Sequence, residues 1–390
     1  MGLLNNKLFF TADYFIRQND EMLMDVTPAS YYGYMVRSGS ETQEGGESSP
    51  TLNIGKLENR GFEFTASWKD NVGKLGYSIN VNFTYIKTKA VKIDPDTIPA
   101  GQTKGVVGTL TKTISGQSIG EYYGLQTNGL FSMADVATDG NGDPILDEDG
   151  NYLVVNQPYI VDGEGNREYA QPNAQPGDFR FVDLNGDGIL DGDDFGPIGN
   201  PNPKYIYGLN LDFEYGWFDL SIFLQGVGGN KIFNSIKYYL YSFDGQFNWA
   251  VDYEDNHYRE EIRDDDGNIL FPANYNAEYP RIDPRNSNQN LSRMSDFYME
   301  SGAYLRLKNL QLGMTLPREW TSKAGIERCR FYVSGKNLIT ITKYTGFDPE
   351  VGSNIDPDAS SNTNNLLVQG LDKGAYPPAR MFSVGLNVTF

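Results

Sequence analysis

The stretch MFSVGLNVTF, residues 381–390, alternates apolar and polar side chains along its whole length. Successive side chains of a strand point to opposite faces, so this pattern predicts a β-strand with one apolar and one polar face. About ten residues are also enough for a tilted strand to cross the hydrocarbon core of a bilayer. We therefore expect a membrane-spanning strand, whose apolar face carries Phe382, Val384, Leu386, Val388 and Phe390.

The composition of the 390-residue chain fits strands better than membrane helices. Its mean hydropathy is -0.48, and no run approaches the roughly 20 apolar residues that a spanning helix needs. Mean hydropathy does not detect a β-barrel, because the polar residues that face its lumen offset the apolar residues that face lipid. The 26 Tyr and 22 Phe residues are typical of strands and of the aromatic girdles of barrels. The composition thus excludes a helical membrane protein and leaves a barrel open.

Charge and the rare reactive residues exclude several classes of partner and site. The formal net charge of -19 argues against nucleic acid or an anionic lipid surface as a partner, because both would repel the chain. Cys329 is the single cysteine, so neither an intrachain disulfide nor a thiolate metal cluster can form. His257 is the single histidine, which excludes sites that need two imidazoles, and we expect it in a solvated loop.

The same period of two recurs in eight segments, which we predict to be strands. The clearest is residues 75–85, where aromatic and aliphatic side chains alternate with Gly, Ser, Asn and Thr. A phase slip after Leu307 predicts a β-bulge near Lys308 and Asn309. Phe9 and Phe15 are exceptions, because they lie on the polar side of their segment. The eight segments are residues 7–17, 62–69, 75–85, 205–215, 218–225, 304–316, those from 329 onward, and 381–390.

Long and short connections separate the two ends of these strands. The long connections all fall at one end, which is typical of barrels with short periplasmic turns and long extracellular loops. We therefore predict an all-β fold, an antiparallel transmembrane β-barrel segment of about eight strands. The short connections are residues 70–74, Gly216 and residues 317–327, and the long ones are residues 18–58, 88–204, 227–302 and 339–380.

The longest connection, residues 88–204, is predicted to be a large extracellular excursion with some structure of its own. Strand-like pieces lie around residues 120–130 and 178–182. Ser132 and Asp135 have the spacing that caps a short helix, so we expect one between them.

The acidic loop at residues 183–194 has the spacing of a calcium-binding loop. Four side-chain oxygens and one backbone carbonyl would surround the ion, while Gly188 permits the sharp turn. The alternative is an Asx-rich turn that binds no metal, because no EF-hand helices flank the loop. The candidate calcium ligands are Asp183, Asn185, Asp187, Ile189 and Asp194.

Several motifs together resemble one known family. They are NRGFEF from Asn59, DLNGDGILD from Asp183, IGNPNPKY from Ile198, WFDLSIFLQG from Trp217, YLRLKNLQLG from Tyr304, SGKNL from Ser334, YTGFDPE from Tyr344 and YPPAR from Tyr376. With them the chain is similar, over nearly its whole length, to the C-terminal part of the β-barrel of SusC-like (RagA-like) TonB-linked outer membrane transporters. The terminal Phe390 also resembles the recognition signal of outer membrane barrels.

That resemblance implies part of a larger barrel, of about twenty-two strands, in the outer membrane of a Gram-negative bacterium. Such proteins import glycans and some peptides, and a SusD-like surface lipoprotein covers their extracellular loops. They carry an N-terminal plug and a TonB box, and neither is expected within residues 1–390. The partners implied are therefore outer membrane lipids, the lipoprotein, the TonB complex through that N-terminal part, and an oligosaccharide or peptide solute.

Aromatic residues crowd the connection that follows Leu224. In an external loop they are a candidate platform for stacking sugar rings, with Trp249 and Tyr253 as the candidate substrate-binding residues. The alternative, which we favour, is that a long loop packs its aromatic residues on itself or on a partner. The cluster consists of Tyr238, Tyr239, Tyr241, Phe243, Phe247, Trp249 and Tyr253.

Catalytic residues are not expected. The chain has no GxSxG nucleophile elbow, and with 51 acidic residues some carboxylates will be close by chance, so a glycosidase pair cannot be assigned. We therefore expect transport rather than catalysis. Alternation alone also permits a soluble or surface calcium-dependent carbohydrate-binding β-sandwich. The two alternatives differ in what the apolar faces contact, since a sandwich packs them against each other.

Overall fold

The computed structural model describes residues 2–5, 7–25, 51–93, 96–100, 109–242, 248–352 and 367–390, and its largest element is an antiparallel sheet. The sheet has nine strands, of which eight are long and pair in chain order, while the two-residue strand Gly2–Leu3 flanks the first. The eight predicted strands are therefore confirmed. They are β1 (Leu8–Asp25), β2 (Thr51–Val72), β3 (Leu75–Lys92), β4 (Tyr205–Tyr215), β5 (Phe218–Gly228), β6 (Tyr304–Thr315), β7 (Arg328–Thr342) and β8 (Met381–Thr389).

The register of the strands aligns residues of one chemical type in rows across the sheet. One row is apolar and crosses β3 to β8, and the next row toward the long connections is polar. Because neighbouring rows point to opposite faces, the sheet has an apolar face and a polar face. The apolar row is Tyr77, Phe213, Leu220, Leu312, Val333 and Val384, and the polar row is Ser78, Asp212, Ser221, Gln311, Ser334 and Ser383.

The apolar face is not covered by the rest of the described chain. Val384 is 84% exposed, Phe382 is 78% exposed and Leu312 is 48% exposed. Leaving such surface in water costs roughly 25 cal/mol per Å². The face is therefore suited to an apolar surrounding rather than to water.

The predicted bulge is present in β6. The register of β6 with both of its neighbours shifts between Leu307 and Asn309, so Lys308 is left out of the pairing. Leu307 and Leu310 consequently both point to the apolar face, although they are three residues apart. The bulge thus keeps the apolar residues of β6 on one side of the sheet.

The strands run further toward the long connections than the sequence pattern predicts. β1 and β2 stay paired as far as Asp25 and Thr51, so the prediction of a loop over residues 18–58 is wrong at both of its ends, and residues 26–50 lie outside the described ranges. β3 likewise continues to Lys92, inside the predicted excursion 88–204. Polar residues occupy both faces of these extensions, so hydrophobic periodicity does not detect them.

Phe15 is accommodated on the polar side of β1 by a glycine. Its partner in β2 is Gly61. A Cβ atom at position 61 would overlap the Phe15 ring and would lie 2.5 Å from the carbonyl oxygen of Tyr85. The aromatic ring therefore lies over bare backbone, which explains the exception to the alternation.

The described parts of the connections, long and short, contain short elements only. Strand pieces are predicted around residues 120–130 and 178–182, and both are confirmed. No helix in the described ranges is long and apolar enough to cross a membrane. The strands are Thr97–Ala100, Thr111–Ile114, Glu121–Gly124, Thr127–Leu130, Tyr159–Val161, Arg167–Tyr169, Phe179–Phe181, Gly196–Gly199, Lys231–Asn234, Ile262–Arg263, Ile269–Phe271, Met299–Ser301 and Leu371–Asp372, and the helices are Met133–Asp135, Gly192–Asp194, Ile236–Tyr241, Val251–Asn256, Asp296–Tyr298, Arg318–Thr321 and Ser322–Ala324.

The predicted cap in the excursion is also confirmed. The backbone N–H and the hydroxyl of Ser132 donate to Asp135 Oδ2, at 2.8 and 2.9 Å. The helix that they cap is a single 3-10 turn, Met133–Asp135.

The hydrophobic core of the molecule lies among the long connections rather than in the sheet. One cluster of buried residues draws from the connections after β3, β5 and β7, and we call it the shared loop core. A second cluster joins the first two of these connections. The shared loop core consists of Leu110, Tyr122, Phe233, Met294, Tyr298, Val368 and Leu371, and the second cluster of Leu125, Phe179, Phe181, Tyr241, Tyr253 and Leu291.

We expect Gly61→Ala to lower the free energy of unfolding by about 1 to 3 kcal/mol, because the added methyl group would overlap Phe15 and the backbone of β3. Urea unfolding of the full-length protein in detergent measures the effect. The matched control is Gly163→Ala, at a position where a Cβ atom has no neighbour within 4 Å. Equal stability of the two variants would contradict the packing of Phe15 on Gly61.

Candidate functional site

The polar face has a cavity of about 620 Å³ at the end that carries the short turns. Arg330 and Asp219 form an ion pair in its wall, where Arg330 Nε donates to Asp219 Oδ1 at 3.0 Å. Gly313 makes room for this pair, because a Cβ atom there would lie 2.5 Å from the carboxylate oxygens of Asp219. The wall thus presents both signs of charge to water or to a polar partner. Its charged residues are Lys69, Asp212, Glu214, Asp219, Arg328 and Arg330.

At the other end of the polar face, Arg306 is almost fully buried, with 1% of its surface exposed. Its guanidinium donates to both carboxylate oxygens of Asp348, at 2.8 and 2.6 Å, and to Glu350 at 2.6 Å. Its Nε donates to Thr340 Oγ1 at 2.9 Å. A buried guanidinium needs its charge balanced and its donors satisfied, so these contacts hold the segment after β7 against the sheet.

Glu350 is shared among several donors. Lys308 Nζ donates to its two oxygens at 2.6 and 2.8 Å, and the Tyr304 hydroxyl donates to it at 2.6 Å. Burial opposes ionisation of Glu350, but the hydrogen bonds from Lys308 and Tyr304 and the charge of Arg306 bring its pKa below the ordinary value. Glu350 is therefore ionised at neutral pH. We call Tyr304, Arg306, Lys308, Asp348 and Glu350 the Arg306 cluster.

A second buried ion pair ties two of the long connections together. Arg281 Nε donates to Asp178 Oδ1 at 2.9 Å, and Asn290 Nδ2 donates to the same oxygen at 2.8 Å. Asp178 has no exposed surface. Burial raises the pKa of the Asp178 carboxyl, although the charge of Arg281 opposes this shift. The pair thus joins the excursion after β3 to the connection between β5 and β6.

Side-chain amides extend this contact along the strand Phe179–Phe181. Gln171 Nε2 donates to the carbonyl oxygen of Phe179 at 2.8 Å and to Asn288 Oδ1 at 2.9 Å. The backbone N–H of Phe179 donates to Asn290 Oδ1 at 3.0 Å. Because these groups are buried, their mutual hydrogen bonds satisfy polar atoms that water cannot reach.

The acidic loop predicted to bind calcium is organised by its own backbone. The Asp183 carboxylate accepts from the N–H groups of Gly186 and Gly188, at 2.7 and 2.8 Å. Asp194 is 1% exposed and accepts from the N–H group of Leu184 at 2.7 Å and from that of Asp191 at 2.9 Å. These contacts have the form of the Asx-rich turn that was the alternative to a calcium site.

The remaining candidate ligands lie on the exposed side of the loop. Asn185 Nδ2 donates to Asp187 Oδ2 at 2.9 Å, and the N–H group of Ile189 donates to Asp187 Oδ1 at 2.8 Å. Within the ranges that the structure describes, no group of three or more His, Cys, Asp and Glu side chains is placed to hold a metal ion. Calcium binding by Asp183, Asn185, Asp187, Ile189 and Asp194 stays a prediction.

The two candidate sugar-stacking residues differ in exposure. Tyr253 has no exposed surface, and its hydroxyl donates to the carbonyl oxygen of Pro280 at 3.1 Å. Trp249 is 48% exposed, with its ring centroid 6.4 Å from that of Tyr253. Phe243 and Phe247 lie outside the described residues. The burial of Tyr253 favours the packing interpretation, and stacking of a sugar on Trp249 stays a prediction.

His257 is buried, so the expectation of a solvated histidine is wrong. Only 8% of its surface is exposed, and its Nδ1 lies 2.7 Å from the carbonyl oxygen of Tyr253. Its ring also stacks on that of Tyr253, with the centroids 5.5 Å apart. The helix Val251–Asn256, which no sequence pattern predicted, places the two rings together.

Sequence reasoning missed the Arg306 cluster and the Asp178–Arg281 pair. Arg306 and Glu350 stand in the motifs YLRLKNLQLG and YTGFDPE, but nothing in either motif indicates that they meet. One sequence feature could have indicated the cluster: Arg306 lies on the polar face of β6, and a charge that becomes buried there needs a partner of opposite sign.

We expect Arg306→Met to release the segment that contains Asp348 and Glu350, because two carboxylates would lose their buried counter-charge. Breaking a buried pair costs about 3 to 5 kcal/mol, so hydrogen exchange of residues 343–352 should accelerate by more than tenfold. Arg318→Met, which removes an exposed arginine on the opposite end of the sheet, is the control. Unchanged exchange in Arg306→Met would show that the cluster does not hold the segment.

Isothermal titration calorimetry with calcium tests the acidic loop. If the loop binds calcium, the wild-type protein takes up heat or releases it at a stoichiometry near one, and Asp187→Ala removes that signal because it deletes a ligand. Asp149→Ala, in another exposed acidic turn, is the control. The absence of any signal from the wild type would eliminate the calcium site.

Curated proteins that are similar to this chain include TonB-dependent receptors. No family model matches the chain. TonB-dependent receptor P3 of Formosa agariphila is 30% identical over 394 residues, which cover 100% of this chain and 33% of that protein. TonB-dependent receptor SusC of Bacteroides thetaiotaomicron is 23% identical over 392 residues, which cover 100% of this chain and 31% of that protein. The chain spans about a third of the length of the curated relatives that it matches.

Solved structures show the same fold. A structure of the RagAB peptide transporter matches 100% of this chain with a TM-score of 0.65 and 19% identity, over 34% of its own chain. The RagAB peptide importer in its open-open state matches 100% of this chain with a TM-score of 0.64 and 18% identity, over 33% of its own chain. The predicted all-β barrel segment is thereby confirmed. Along its full length, the chain is similar to about a third of TonB-dependent receptor P3 and of SusC, and it has the fold of the matching third of the RagAB transporter chain.

Proposed function

We propose that this chain forms part of the wall of an outer membrane TonB-dependent importer, toward the C-terminal end of its barrel. The solute is an oligosaccharide or a peptide, and the importer works with a SusD-like surface lipoprotein and not as an enzyme. The TonB complex drives import through a part of the protein other than residues 1–390. Because the chain spans about a third of its relatives, this activity is proposed for the whole protein.

The observation that carries the proposal is the division of the sheet into two faces. The apolar rows are left exposed, with Val384 84% exposed, and lipid is the surrounding that would cover them. The polar rows then face the lumen, where Ser221 and Asp212 are joined by a hydrogen bond of 2.6 Å. The short turns point to the periplasm in this orientation, and the long connections form the outer surface.

The long connections also offer a surface for the proposed lipoprotein. The hairpin of Ile262–Arg263 and Ile269–Phe271 exposes both of its faces, and Ile269, Leu270 and Phe271 are 50, 55 and 49% exposed. Exposed apolar residues at the tip of an external loop favour a protein partner over bulk water. The match to the RagAB peptide transporter supports the same assignment.

A calcium-dependent carbohydrate-binding β-sandwich is the alternative. It requires a second sheet packed on the apolar face, but Phe382 and Val384 are largely exposed. The other sheets in the described ranges have only two to four strands. These observations favour the importer.

A lipid-soluble photoprobe tests the orientation of the sheet. We expect the full-length protein in membranes to be labelled at Val81, Leu211 and Val384, because these residues lie on the apolar face of three different strands. Ser78 and Ser383, on the polar face, are the internal controls and should stay unlabelled.

Solubility provides the complementary measurement. We expect the protein to partition into detergent and to aggregate when detergent is removed. A monodisperse protein in plain buffer, with Val81, Leu211 and Val384 unlabelled, would contradict the membrane assignment and the import role with it.

A further inference from the structure

Four aromatic residues form a row on the apolar face near the long connections. Tyr14, Phe62, Tyr85 and Tyr205 lie directly opposite one another on β1 to β4. They are 68, 40, 37 and 42% exposed, and the rings of Tyr85 and Tyr205 are 5.6 Å apart. In membrane barrels, aromatic residues in such a row mark the level where hydrocarbon meets the lipid headgroups.

Immediately beyond this row, β2 and β3 change from aromatic to charged residues on the same face, while β1 keeps an exposed Ile16. The next positions on the same face place Arg60 opposite Lys87, and the positions after them place Glu58 opposite Lys89. Arg60, Lys87 and Lys89 are exposed, and we call them the basic rim. In the membrane orientation proposed above, the basic rim lies at the level of the lipid headgroups in the outer leaflet.

Glu58 is the acidic residue that lies against the basic rim, with Arg60 bound to it and Lys89 opposite it. Arg60 Nε pairs with Glu58 at 2.6 Å, and Gln18 donates to the same carboxylate at 2.8 Å. Lys87 and Lys89 make no ion pair with any residue that the structure describes. Two exposed cations side by side on one strand repel each other, so a bound anion would stabilise them.

A cavity of about 500 Å³ lies beside the two lysines. It follows the part of β3 that extends beyond β4, and Gln117 closes it from the other side, since its carbonyl oxygen accepts from the N–H group of Ala90 at 2.8 Å. Its wall contains three lysines, Lys87, Lys89 and Lys204, and one carboxylate, that of Glu121. The cavity thus has an excess of positive charge.

We propose that the basic rim and this cavity bind the phosphorylated headgroup of an outer-leaflet lipid. The phosphate complements Lys87 and Lys89, while the acyl chains lie along the aromatic row below them. The net charge of -19 argues against an anionic lipid surface for the chain as a whole, but it averages over acidic loops and does not describe this patch. The proposal rests on the membrane orientation proposed above.

Binding of lipid A to the purified full-length protein in detergent tests this site. Each lysine near anionic lipid contributes about fivefold to affinity, so the double variant Lys87→Gln/Lys89→Gln should bind roughly 25-fold more weakly. Lys87→Arg/Lys89→Arg retains the charge and should bind as the wild type does. The matched control is Lys74→Gln/Lys323→Gln, which removes two exposed lysines at the opposite end of the sheet. Lipid A without its phosphates should bind weakly to every variant.

Two results would overturn the proposal. One is equal affinity of the wild type and the Lys87→Gln/Lys89→Gln variant for lipid A. The other is full competition by millimolar inorganic phosphate, which would identify a site for free anions. Partitioning into detergent is measured on the same samples. If a variant still partitions into detergent but no longer binds lipid A, the defect lies in this site alone. If the wild type itself does not partition into detergent, the proposed function is contradicted.

Discussion

Cross-strand register is the constraint on which the rest of the structure depends. Side chains alternate between faces, so a slip of one residue would carry every apolar residue of a strand to the polar side. The pairing of Phe213 with Tyr77 and Leu220 keeps three strands in phase, and the bulge at Lys308 restores the phase in β6. The exposed apolar rows, the polar cavity and the basic rim all follow from this one alignment.

The central parts of the strands could be predicted from the sequence, because alternation is a local property. The strand ends could not, since β1 and β2 continue past Arg17 and Asn59 with polar residues on both faces. The place of Phe15 on the polar face could not be explained without knowing that its partner in the neighbouring strand is Gly61. Local patterns therefore reveal which residues form strands, whereas pairing decides how far each strand runs.

The candidate site was less predictable, because its contacts join residues that are far apart in the chain. Asp348 meets Arg306 across 42 residues, and Arg281 meets Asp178 across 103. No periodicity connects such partners. The net charge likewise gave no indication of the basic rim, because a sum over the whole chain does not show where Lys87 lies.

The shared loop core has a consequence for biogenesis. It takes residues from three connections, and its last contributors in chain order, Val368 and Leu371, are synthesised only after β7. Contacts of such long sequence separation form late. The shared loop core is therefore completed only after all three connections have been synthesised. A change that displaces one of the three connections would accordingly loosen the packing of the other two.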